Sequence, residues 1–181
     1  MIITNNEEAL RVKCEDVKPE EVGELIALLE QELEHSAKLG RPGIGLAAPQ
    51  IGIAKDIAIV RIDNVYRVDL INCKIKEQYD QAIFKEEGCL SFPGRIEDTL
   101  RYQEIYVVNN LVAPHSFQAA GLMAVVCQHE LDHINGILLP DMAIKKSVGA
   151  KRKTGPNDPC FCGKIDPITN KPKKYKKCCG I

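Results

Sequence analysis

Long apolar runs are missing from this sequence, and so is a basic, apolar leader. The most hydrophobic stretches, DIAIVRI at 56–62 and GLMAVV at 121–126, fall well short of a membrane span, which takes about 20 residues as a helix. The opening MIITNNEEAL has neither the charged start nor the apolar centre of a secretory signal. Both absences point to a cytoplasmic protein with no membrane partner. Net charge is also scant, −1 over 181 residues, but the balance hides a division. Residues 145–181 hold 11 Lys and Arg against 2 Asp, a net of +9, and the first 144 residues carry −10. Two segments with different roles are implied.

The 45% hydrophobic content suffices for one buried core in residues 1–144. Val22, Leu25, Ile26, Leu29 and Leu33 recur at helical spacing and predict an amphipathic helix over 19–39, with Pro19 in its first turn and Gly40 beyond its end. Strands are predicted at 56–62, around 65–76 and over 96–110. A second helix is predicted from about Ala119 to Asn135, apolar around most of its circumference and therefore buried, with Gly136 ending it and Pro140 limiting continuation. Residues 145–156, basic and nearly free of large apolar side chains, read as a linker to a small module at 157–181.

The predicted buried helix carries QHELDHINGILL at 128–139. Positions four apart face the same way on a helix, so His129 and His133 can bind one metal ion with Glu130 beside it. A buried helix seldom carries such groups unless they are paired or bind metal. The third protein donor is not where zinc proteases keep theirs. Leu139 stands where a metzincin has its last histidine, and no glutamate follows Glu130. The search therefore turns upstream, to cysteine. Cys14, Cys73 and Cys127 sit singly among apolar residues and read as small buried hydrophobes. Cys89, in EEGCLSFPG, lies between a glycine and a turn at Pro93 and Gly94, and is the best remaining donor. Three ligands, Cys89, His129 and His133, leave a tetrahedral position open for water, which is the arrangement of a catalytic site. Glu130 would then move the water proton, and Gln50 with the backbone N–H of Leu90 would stabilise an oxyanion. Hydrolysis of an amide-like carbonyl is the expected reaction.

Three stretches, GIGLAAPQIG, EEGCLSFPG and QHELDHINGILLPD, together resemble the three motifs of the peptide deformylases, and ALRVKCEDV near the start agrees. The resemblance implies an α+β fold, mainly antiparallel strands around a central helix bearing the HExxH residues. It implies removal of the N-formyl group from nascent formyl-methionyl peptides. Cys89, His129 and His133 would hold the metal, most often ferrous iron, with zinc, nickel or cobalt able to replace it. Glu130 would be the general base and acid, and Gln50 and Leu90 the oxyanion donors. The peptide would add as a strand near Ile44, Gly45 and Gly88. Val125 and Val126 are placed to form the methionine slot. Arg101 matches a family arginine near the site, and Glu87 is placed to bond a ligand from behind. A catalytically inactive deformylase fold that acts as a binding protein through its tail is the alternative, and the presence of every catalytic residue type argues against it.

The tail, GPNDPCFCGKIDPITNKPKKYKKCCGI, resembles an SEC-C motif with a longer segment between its cysteine pairs. That resemblance implies a structural zinc held by Cys160, Cys162, Cys178 and Cys179. Its lysines and Tyr175 suit contact with the ribosome or ribosomal RNA; a solvated module that docks another protein is the competing reading.

Overall fold

A computed structural model of the chain describes residues 1–63, 66–109, 111, 115–144, 171 and 174. The chain divides into two units, Met1–Ile144 and Lys145–Ile181. The basic linker and the four tail cysteines lie outside the described residues.

The first unit contains two three-stranded antiparallel sheets. One joins β1 (Gly45–Ala47), β2 (Ile57–Ile62) and β3 (Tyr66–Ile71), with β2 in the middle. Because β2 is covered on both faces, Ile57, Ala58, Ile59 and Val60 are all fully buried, which explains its unbroken apolar run. The other sheet joins β4 (Lys74–Gly88), β5 (Ile96–Val108) and β6 (Ser116–Ala120), with β5 in the middle. Four helices complete the unit: α1 (Glu7–Leu10), α2 (Val22–Lys38), α3 (Leu122–Ile134) and α4 (Leu139–Met142). Helix α3 packs on β1 and β2 of one sheet and on β5 and β6 of the other. Its Ala124, Cys127, Leu131 and Ile134 share a core with Val60, Leu70, Cys73, Ile105 and Val107. Helix α2 covers the first sheet from another side, with Leu29 and Leu33 packed on Leu46, Ile57 and Ile59. Three of the four cysteines in this unit read as hydrophobes pack as such, Cys73 and Cys127 buried and Cys14 against the same core.

Three predicted boundaries move. The run expected around 65–76 is two strands in different sheets, broken where Asn72 adopts a left-handed φ of 50°. The Asn72 amide there accepts from the Val17 N–H at 2.8 Å and donates to the Val17 carbonyl at 3.0 Å, which holds the break. The buried helix begins at Leu122, because Ala119 and Ala120 belong to β6 and Gly121, at φ 57°, turns the chain between them. Pro140 does not stop helix formation; it sits in the first turn of the short α4, where its missing N–H costs nothing. Strand β4, 15 residues long, was invisible to the hydrophobic pattern, since nearly all of it is exposed.

Candidate metal centre and catalytic cleft

Helix α3 presents His129, Glu130 and His133 towards the turn that follows β4. That turn is closed by the Phe92 N–H donating to the Cys89 carbonyl at 3.0 Å, and it brings the Cys89 Sγ to 3.2 Å from His133 Nε2. One donor atom from each of Cys89, His129 and His133 lies within 4.8 Å of the other two. The sulfur and imidazole donors suit a divalent transition metal.

The two histidines are prepared differently. His129 Nδ1 is 2.6 Å from Glu87 Oε1, leaving Nε2 to face the cluster. Burial alone would lower the His129 pKa, but Cys89 and Glu87 outweigh it and raise it well above the usual value. His133 goes the other way: burial, then the charges of His129 and Arg101, keep it neutral, the form that offers a lone pair to a metal. Its Nδ1 is buried without a hydrogen-bond partner among the described residues.

Glu130 lies beside this cluster, 3% exposed, with Oε2 unpartnered among the described residues. Burial, resisted by His129 and reinforced by Glu87 and Asp132, pushes its carboxyl up to about 7. A group poised there both takes and returns a proton near neutral pH. Gln50 is oriented from behind. Its Oε1 accepts from the Ala47 N–H at 2.8 Å, so its Nε2 must point the other way, to Ser91 Oγ at 3.2 Å and towards Cys89 Sγ at 3.7 Å. The Ser91 contact was not foreseen in the sequence.

A cleft of about 620 Å³ opens over these groups. Gln50, Cys89, Leu90, His129 and Glu130 line it, together with Ile44, Gly45, Gly88, Val125 and Val126. His133 lies beneath its floor, 1% exposed. Among the residues singled out in the sequence of this unit, the cleft thus gathers every one assigned to catalysis or substrate.

Behind His129 runs a charged network whose extent the sequence did not reveal. Arg101, 2% exposed, grips Glu87 with Nε at 2.8 Å and Nη2 at 2.6 Å, and reaches Asp132 with Nη1 at 2.5 Å. Thr99 donates to Glu87 at 2.6 Å. Burial would raise the Glu87 carboxyl, but the hydrogen bonds from Arg101 and His129 hold it at about 2. A one-residue bulge in β4 between Phe84 and Glu87, with Glu86 at φ 57°, turns Glu87 inward while Glu86 stays exposed. A sequence signal for Arg101 existed: it shares strand parity with the buried Thr99, Ile105 and Val107.

Known proteins answer to this arrangement. The family model of the polypeptide deformylases matches residues 1–148. Peptide deformylase 1 of Bacillus anthracis is 36% identical over 140 residues, covering 76% of this chain and 87% of that protein. The peptide deformylase of Clostridium botulinum is 38% identical over 140 residues, covering 76% and 91%. Among solved structures, the Thermotoga maritima peptide deformylase superposes with a TM-score of 0.67 at 31% identity, covering 80% of this chain and 97% of that one. The Synechococcus elongatus peptide deformylase, solved with actinonin, gives 0.70 at 32% identity, covering 81% and 79%. Since the family match takes in both sheets, α3 and the whole cleft, the chain belongs to the polypeptide deformylase family of hydrolytic enzymes.

Proposed function

We propose that this chain removes the formyl group from N-formyl-methionyl peptides, releasing formate, with Cys89, His129 and His133 holding one divalent ion. The observation that carries the reading is the convergence of one thiol and two imidazoles beside a buried carboxyl, whose Oε2 has no partner among the described residues, in a peptide-sized cleft. Imidazole and thiolate donors accept ferrous iron, nickel, cobalt or zinc, and ferrous iron is our first assignment by family. Such an ion supplies Lewis acidity, which brings the pKa of a water towards neutrality.

The chain's own residues do the rest. Glu130 takes a proton from the attacking water and returns it to the amine that leaves. The Gln50 amide, its orientation fixed by Ala47, donates to the oxygen that gains charge on the formyl carbon, and the Leu90 N–H is the second donor. Strand β1 is the edge of its sheet, so a substrate backbone can add beside Gly45 while Gly88 faces it across the cleft. Val125 and Val126, one turn before His129 and Glu130, form the apolar slot for methionine.

The test is formate release from formyl-Met-Ala-Ser by protein loaded with iron under anaerobic conditions. No release from that peptide or a longer one sinks the proposal. Cys89→Ser should lower the metal content of the purified protein, as measured by elemental analysis. Gly45→Ala probes the fit around Glu130: a Cβ there would lie 2.9 Å from the Glu130 Cδ and closer still to its Oε1. We expect kcat/KM to fall about tenfold to a hundredfold, because small misplacements of a catalytic group are costly.

A further inference from the structure

The rim of the cleft carries a charge that the chemistry above does not use. Arg41 lines the cleft on the wall that leads into β1, and its backbone is clamped by a buried serine. The Arg41 N–H donates to the Ser36 carbonyl at 3.0 Å, and Ser36 Oγ donates back to the Arg41 carbonyl at 2.7 Å. Gly40, at φ 77°, turns the chain out of α2 just before, and Pro42 narrows the backbone's freedom just after. The position is therefore rigid. The residue is partly buried, and its guanidinium makes no ion pair or hydrogen bond with any described residue.

The opposite wall differs. There Arg95 is already paired with Glu97 at 2.7 Å, and Glu86 is exposed. We propose, resting on the deformylase reading, that Arg41 is a specificity-determining residue that recognises an acidic side chain in the first few residues after the formyl-methionine. Its reach sets which ones. Gly45, whose Cα faces the Glu130 side chain, lies four positions along the chain from Arg41, a span of at most about 14 Å. An extended peptide covers that distance in about four residues, so the acidic position lies among the second to fourth of the peptide. The guanidinium gains a counter-ion when such a peptide binds, and gives up no described internal partner to do so.

The experiment measures kcat/KM for formyl-methionyl peptides in which Glu, Gln or Lys is placed in turn at positions two, three and four. At one of these positions Glu should exceed Lys by about threefold to tenfold at low ionic strength, through KM rather than kcat, and the ratio should shrink with added salt. Arg41→Gln should flatten the ratio and Arg41→Glu should invert it. Arg41 is anchored through its backbone, so neither change removes a structural contact of its side chain. Equal rates for Glu and Lys peptides in the unmodified protein, or a preference that survives Arg41→Glu, overturns the assignment. Failure to hydrolyse any formyl peptide would instead overturn the deformylase reading, so the two failures are distinct.

Discussion

Glu130→Gln is expected to lower kcat/KM for a formyl-methionyl peptide by about a hundredfold to ten-thousandfold, the usual worth of a positioned general base, while the protein keeps its metal. Glutamine fills the same volume but cannot accept and return a proton. The atoms proposed to hold the metal are others, on Cys89, His129 and His133, and none of them hydrogen-bonds to Glu130. Stability should hold or rise. The Glu130 carboxyl is pushed up to about 7 by burial, so its charged form is disfavoured in the folded chain at neutral pH and above. A neutral amide removes that cost. Formate release, elemental analysis and thermal unfolding of one preparation separate the three effects. Full activity in the glutamine variant would show that another group carries the proton.

The parts of this site legible in the sequence are those in which chemistry is written locally. His129 and His133 announce themselves because four residues on a helix make one turn, and that relation survives any tertiary packing. Cys89 emerged because no donor downstream of His133 could serve, and the structure puts it 3.2 Å from that histidine. Gln50 was legible as a residue but not as a geometry, since its orientation depends on the Ala47 N–H. The buried network was hidden for a different reason. The sequence placed Glu87 and Arg101 near the site one at a time, but nothing in the pattern of the chain joins Glu87, Arg101 and Asp132 to one another. Their burial follows from a bulge in β4 and from the inward parity of β5, both consequences of strand register. Strand β4 itself was missed because alternation is visible only where one face is buried.

Arg101→Leu should be the most damaging change outside the cleft, and it should act on the fold and on His129 together. Leucine leaves Glu87 and Asp132 in place, with Glu87 only 4% exposed and deprived of the fork that holds its carboxyl at about 2. Breaking such a pair from one side costs about 3–5 kcal/mol, since Glu87 keeps only Thr99 and His129 and Asp132 loses its bond from Arg101. Glu87 would regain a proton, and a protonated carboxyl orients His129 Nδ1 poorly, so metal affinity should fall about tenfold to a hundredfold as well. The pH dependence identifies the cause. A carboxyl lowered from 4.5 to about 2 contributes stability that is present above pH 4.5 and lost as pH falls through that range. In metal-free protein the stability gap between the unmodified chain and Arg101→Leu should therefore narrow as pH drops below 4.5, because Glu87 takes up a proton in the unfolded chain there and the advantage of its low folded value is lost towards pH 2. Arg101→Lys separates charge from shape. Lysine supplies the positive charge but cannot bond both Glu87 oxygens and Asp132 at once, so it should recover much of the stability and less of the metal affinity. Equal recovery of both by lysine would mean that His129 needs only a charged neighbour, and that the fork between Arg101 and Glu87 plays no part in aiming it.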